Sequence, residues 1–185
     1  MDILLSGLLV FFAMHLLPTA PSMHGALKDK LGEKPFKALY SLVSLAGLAL
    51  IVTGMGQAEF TPWYDPPFWG RHVTALLMMV ALYCLISSHV NSSLRMITAH
   101  PMNWGIAAWA TGHLLANGDR ASVLLFGAFL IYSLFDMASA NRRGAKPQGQ
   151  ALALKSDGIV LVFAALLYIC LMLFHASFTG VPVME

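Results

Sequence analysis

The stretch AHPMNWGIAAWATGHLLANGD, Ala99–Asp119, decides how this chain is read. It is apolar and nearly long enough to cross a bilayer. It nevertheless carries two histidines and two tryptophans, and it stops on a polar Asn-Gly-Asp. His113 lies a turn or more inside the apolar run. A compact imidazole in that setting has to hydrogen-bond, bind a ligand or coordinate a metal.

The rest of the chain gives that run its context. Of 185 residues 58% are hydrophobic and only 11% charged, with a net charge of +2 and a mean hydropathy of +0.70. Globular domains average about 25% charged residues. A soluble core of this size cannot use so much apolar surface, so most of it must meet lipid or other helices. The expected class is an all-α, polytopic membrane helix bundle, with membrane lipid as its surroundings. The charge is too small and too scattered for nucleic-acid binding.

Stretches of about 17–25 apolar residues suit a membrane span. Six are expected, at about 3–20, 36–57, 69–90, 101–118, 121–140 and 157–178. PTAPSMHG (18–25), TPWYDPP (61–67), NGD (117–119) and NRRGAKPQG (141–149) break the pattern. Nine of the eleven basic residues would fall on one side: Lys28, Lys30, Lys34, Lys37, Arg95, Arg142, Arg143, Lys146 and Lys155. The other side has Arg71 and Arg120, beside Asp2, Glu59, Asp65, Asp119 and Glu185. The bias toward cytoplasmic Lys and Arg then puts both termini on the non-cytoplasmic side. Asp2, with no basic residue at the amino end and no A-x-A site, argues against a cleaved signal peptide. Residues 1–185 read as one transmembrane domain. Cys84 and Cys170 both fall in apolar segments, form no CxxC, and are expected to be buried thiols.

Of the seven histidines, five lie at span ends or in loops: His24, His72, His89, His100 and His175. Interfacial amphipathic placement suffices to explain them. His15, in VFFAMHLLP (10–18), and His113 lie within their spans and need a partner. Gly105 and Trp109 precede His113 at eight and four residues, as Gly7 and Phe11 precede His15, and Gly112 and Ala116 are small. Steps of four keep side chains on one helical face. Such a face suits a flat macrocycle. Equally, small residues let membrane helices pack closely, with the histidine bonding across the contact. The spacing leaves both readings open.

Imidazole suits zinc, copper, iron and nickel. Neither H-E-x-x-H nor paired carboxylates stand in the spans to complete a zinc site. Two histidines without cysteine suit haem b, whose porphyrin supplies the other four nitrogens. Arg95, Arg71 or Arg120 could meet the propionates, and a backbone carbonyl or Thr111 a ligating ring's Nδ1–H. Pairing both rings on one shared centre meets an obstacle. On these span limits they differ by about 10 Å in depth at 1.5 Å per residue, which calls for a tilted haem axis or shifted limits.

Phe11–His15 as FxxxH, LGEKPFKALYSLVSLAGLALI (31–51), AHPMNWG (99–105) and WATGHLLANGD…LLFG (109–127) resemble the NnrU family of bacterial membrane proteins. The resemblance runs from about Leu8 to Tyr132. It implies a place in the bacterial inner membrane and a link to nitric oxide metabolism in denitrifiers. The family is similar to the zeta-carotene isomerase of plants and cyanobacteria, an integral membrane haem b enzyme. On that resemblance His15 and His113 become metal ligands, with His100 in a supporting role; the same-face residues Gly105 and Trp109, together with Gly112, would then lie beside the cofactor. Redox-gated isomerase chemistry is implied only distantly, since the plant relative carries an extra segment before the shared region. Two functions stay in view: a haem b protein, enzymatic or a partner in membrane redox chemistry, and a non-enzymatic accessory of a respiratory complex with structural histidines. A transporter is disfavoured, for no repeat or paired broken helices are visible.

Overall fold

The computed structural model describes residues 1–148, 153–181 and 183. Among them it forms eight α-helices and no strand. Helix α1 (Asp2–Leu16) carries Asp2 in its first turn, where a carboxylate meets the free N–H groups. Pro18 converts its end into a 3₁₀ turn, Leu17–Thr19. Pro21 then opens α2 (Pro21–Leu31), because proline at a first helical position gives up an N–H that has no partner anyway. Gly32, with φ of 82°, ends it. The remaining helices are α3 (Glu33–Gly56), α4 (Gly70–Ser87), α5 (Leu94–Ile97), α6 (Pro101–Ala116), α7 (Arg120–Arg142) and α8 (Leu154–Thr179).

Five helices are long and apolar enough to cross a membrane: α1 with its 3₁₀ turn, α3, α4, α7 and α8. The sixth expected span, α6, has only 16 residues, about 24 Å of helix against roughly 30 Å of hydrocarbon. Helix α2, which the sequence suggested was a break, has no buried residue. Its register keeps Lys28 and Lys30 in the last turn, favourable beside unpaired carbonyls. Glu185 lies outside the described residues.

The packing order follows from small residues. Helix α1 lies against α3, α7 touches α1 and α6, α6 sits between α7 and α4, and α8 flanks α4. A Cβ on Gly7 would come 2.6 Å from the Ile51 nitrogen, and one on Gly47 2.8 Å from the Phe11 nitrogen. The α1 and α3 backbones therefore approach as glycine alone allows. Leu4, Leu8, Ile51, Ala110, Ala121, Leu125 and Phe126 form the buried core where α1, α3, α6 and α7 meet. Helix α8 turns Ile159, Val162, Phe163 and Leu166 outward. That suits a lipid-facing helix and is costly in water. Cys84 is buried as expected, but Cys170 is exposed, because it lies on this outward surface of α8.

One end of the bundle is locked by two loops. Trp63 N and Tyr64 N donate to Gly118 O at 2.8 and 3.0 Å, and Arg120 N donates to Thr61 O at 2.8 Å. The Tyr64 hydroxyl donates to Leu114 O and, at 3.0 Å, to Asn117 O. Each residue of Asn-Gly-Asp has a task here. Asn117 Nδ2 bonds His113 O at 3.0 Å, Gly118 admits the Tyr64 carbonyl where any Cβ would collide, and Asp119 caps α7 by accepting from Ser122 N at 3.0 Å.

A candidate imidazole site in an aromatic seam

His113 stands in the last turn of α6. Its Nδ1 lies 2.9 Å from Trp109 O, one turn back on the same helix. A carbonyl can only accept, so Nδ1 carries the hydrogen and Nε2 of the neutral ring keeps a free lone pair. His15 repeats the arrangement in the last turn of α1, with Nδ1 2.8 Å from Phe11 O. Both rings thus present Nε2 as the nitrogen for any metal. A hydrogen-bonded Nδ1–H is the usual support of a ligating imidazole.

Aromatic rings hold each imidazole. His113 lies over Phe126, with centroids 4.5 Å apart and planes at 25°, and its centroid is 5.3 Å from that of Trp109. His15 stacks on Phe11 at 3.9 Å and 18°, with Tyr40 at 5.5 Å and Tyr132 edge-on at 6.0 Å. The Tyr132 hydroxyl donates to His15 O at 3.1 Å. Phe129 joins the two ends, its centroid 5.5 Å from both Phe11 and Trp109. The result is one seam of rings between α1, α6 and α7, with a histidine at each end.

The two histidines meet different stretches of α7. On α7, His113 meets Phe126 and His15 meets Tyr132, six residues on, which is about 9 Å along the helix axis. One iron bound by both rings would need their Nε2 atoms about 4 Å apart, twice a metal–imidazole bond of about 2 Å. The donor chemistry of each ring fits haem iron.

The other expected site residues separate by position. Trp109 is beside His113. Gly105 and Gly112 are taken up by α4: a Cβ on Gly105 would come 2.9 Å from Ala81 O, and one on Gly112 2.8 Å from Met78 Cε. Their smallness serves the α4–α6 contact, where Thr74 Oγ1 also bonds Gly112 O at 2.6 Å. His100 precedes α6, about 20 Å along the helix from His113, and its Nε2 lies 2.7 Å from Asn141 Oδ1. Arg95 stands near His100 in the wall of a separate cavity. Of the interfacial histidines, His24 meets Phe36 edge-on at 5.1 Å, and His175 Nδ1 bonds Val181 O at 2.7 Å. No group of three or more His, Cys, Asp or Glu that could hold a metal ion occurs among the described residues.

The sequence reading passed over Tyr40, Phe126, Phe129 and Tyr132, whose roles depend on tertiary neighbours. It also passed over Asp136, a carboxylate inside α7 that accepts from Asn103 Nδ2 at 2.8 Å. The principle that singled out the histidines applies to it equally: an ionisable group in a span needs a partner.

No curated protein and no solved structure matches the chain. The family described as NnrU protein matches residues 3–183, almost the entire length. This multi-helix membrane protein therefore belongs to the NnrU family.

Proposed function

We propose that this chain is a haem b protein of the bacterial inner membrane, tied to nitric oxide metabolism, with its ligands drawn from the aromatic seam. The observation that carries the reading is the pair of free Nε2 atoms, each fixed by an Nδ1–H bond to its own helix. His113 is the primary ligand: it lies beside the buried core, and its ring is clamped by Trp109 and Phe126. His15 is a second, separate donor at the far end of the seam. Bound there, an iron porphyrin would supply a one-electron redox centre. The chain's own contribution is to orient Nε2 and to exclude water with Phe11, Phe126 and Phe129. Helix α6 counts as the sixth span in this reading, with both termini outside the cytoplasm as the distribution of basic residues requires.

The accessory reading draws on a different observation. Both rings are already stacked and hydrogen-bonded within the protein, as structural histidines would be. Absorbance separates the two. The detergent-purified protein, expressed with ample haem supply, should show a Soret band and a pyridine haemochrome. His113→Ala should abolish the band, His15→Ala should shift or weaken it, and His175→Ala should leave it unchanged. A colourless wild-type protein would establish the accessory reading instead.

A further inference from the structure

At the end of the bundle far from His113, a cavity of about 240 Å³ opens among the C-terminal end of α4, the 88–100 connection, the start of α6 and the C-terminal part of α7. Arg95, His100, Asn103, Asp136 and Gln148 line it. Its walls carry opposite charges that do not meet. The ion pairs among the described residues are those of Glu33 with Lys28 and Lys37, so Asp136 has no cationic partner there. Asp136 Oδ2 accepts from Asn103, while Oδ1 accepts no hydrogen bond among the described residues. Arg95 is held off by other contacts: Nη2 donates to Gln148 Oε1 at 3.0 Å, Nη1 points to Val90 O at 3.5 Å, and Gln148 N returns a bond to Arg95 O at 3.0 Å. His100 donates from Nε2 to Asn141 Oδ1, which leaves Nδ1 unbonded.

A carboxylate within a membrane helix is expensive without a countercharge. A simple cation would satisfy Asp136 and leave the guanidinium uncompensated, and a simple anion would do the reverse. We infer that this cavity binds a dipolar group, a primary ammonium joined by a short spacer to a phosphate, with the ammonium on Asp136 and the phosphate toward Arg95 and His100. Guanidinium and phosphate match in charge and in hydrogen-bond geometry. The position agrees with the chemistry. The spanning helix α4 ends here and α7 is within a few residues of its own end, so the cavity lies at the depth of lipid headgroups. The volume is large enough for such a group. The chemistry has two sources, the headgroup of phosphatidylethanolamine or a free aminoalkyl phosphate. Nothing in the inference depends on haem, and a colourless protein would leave it standing.

The test uses the full chain in one fixed detergent, titrated with short-chain phosphatidylethanolamine, its N-monomethyl derivative, phosphatidylcholine and free phosphoethanolamine. Binding is read by native mass spectrometry and by the shift in thermal unfolding. Phosphatidylethanolamine should bind the wild type about tenfold more tightly than phosphatidylcholine, with the methylated lipid between, since each methyl removes an N–H from Asp136. Asp136→Asn should abolish that preference, and Arg95→Gln should weaken all the phosphate ligands together. Displacement of the lipid by phosphoethanolamine identifies a soluble ligand, and its failure to displace identifies the lipid. If Asp136→Asn does not fold, the headgroup series on the wild type still decides. Equal binding of phosphatidylethanolamine and phosphatidylcholine together with no binding of phosphoethanolamine overturns the inference, as does an Asp136→Asn protein that folds and keeps the preference.

Discussion

Replacing Gly118 by alanine should release the loop that closes the bundle above His113. Gly118 has no positive φ, so the requirement is for space and not for backbone conformation. Its missing Cβ would collide with the Tyr64 carbonyl and come 2.9 Å from Pro66 Cδ. The first of these is backbone and cannot turn aside. To admit the methyl group, residues 61–64 must lift away. That breaks the bonds from Trp63 N and Tyr64 N to Gly118 O, from Arg120 N to Thr61 O, and from the Tyr64 hydroxyl to Asn117 O. Four bonds at a net value of about 1 kcal/mol each amount to roughly 4 kcal/mol. Restricting the unfolded chain returns about 0.4–1 kcal/mol. A net loss of about 3 kcal/mol corresponds to a fall of about 6–12 °C in Tm for a chain of this length. Gly127→Ala is the control: it lies within α7, and a Cβ there meets nothing within 4 Å. There the better helix propensity of alanine should stabilise by up to about 1 kcal/mol. Circular dichroism melts in detergent compare the two, and amide exchange at Trp63 and Tyr64 reports whether the loop has opened. A Gly118→Ala protein that melts with the wild type and keeps both amides protected would refute the close-packing explanation.

Three further perturbations test separate contacts. Asp119→Ala removes the N-cap of α7 and should cost about 1 kcal/mol, with Asp119→Asn recovering most of it in the same melts. Gly54→Ala places a methyl group against the Leu4 backbone and should destabilise by about 1–3 kcal/mol through overpacking at the α1–α3 contact. A neutral result would show that the two helices separate freely. Burial first, and the Asp119 carboxylate second, push the Tyr64 phenol above its ordinary value. The folded state thus holds that proton more tightly than the unfolded chain. The contribution is complete below the unfolded value of about 10 and disappears as pH rises through the folded value. Tm measured between pH 8 and 11 should therefore fall at the alkaline end by a component that Tyr64→Phe lacks.

The sequence made five of the expected spans legible to within a few residues, because each is a long apolar run bounded by Pro, Gly or charge. It misplaced α2 for a physical reason. Pro18 and Pro21 look like punctuation, yet a proline at N1 starts a helix as readily as one at the end stops it. Trp109 above His113 was legible, since a step of four residues fixes a neighbour on the same helix whatever surrounds it. The roles of Gly105 and Gly112 were not. Periodicity says which residues share a face, but not whether α4, α7 or a cofactor covers that face. Phe126 and Phe129 were invisible for the same reason, belonging to the His113 environment only through the α6–α7 contact. Asp136 could have been found from sequence, as a carboxylate within the fifth apolar run.

The shortness of α6 connects these observations. If α6 is the sixth span, as proposed above, its length of about 24 Å falls short of the hydrocarbon by about 6 Å, and polar chain then reaches inward at one or both of its ends. At its C-terminal end Tyr64 and the 61–64 segment fold over Leu114, Asn117 and Gly118. At its N-terminal end Asn103 reaches Asp136 in α7, and the charged cavity opens beside His100. An ordinary span of more than 20 residues would push both sets of groups out to the headgroups. The short helix instead keeps His113 within a turn of a hydrogen-bonded loop, and on that reading it leaves Asp136 reachable from the headgroup layer. Lengthening α6 by one turn of alanine before Asn117 should therefore disturb the Tyr64 contacts and the His113 surroundings together, while the Asn103–Asp136 bond, on the other side of the insertion, persists.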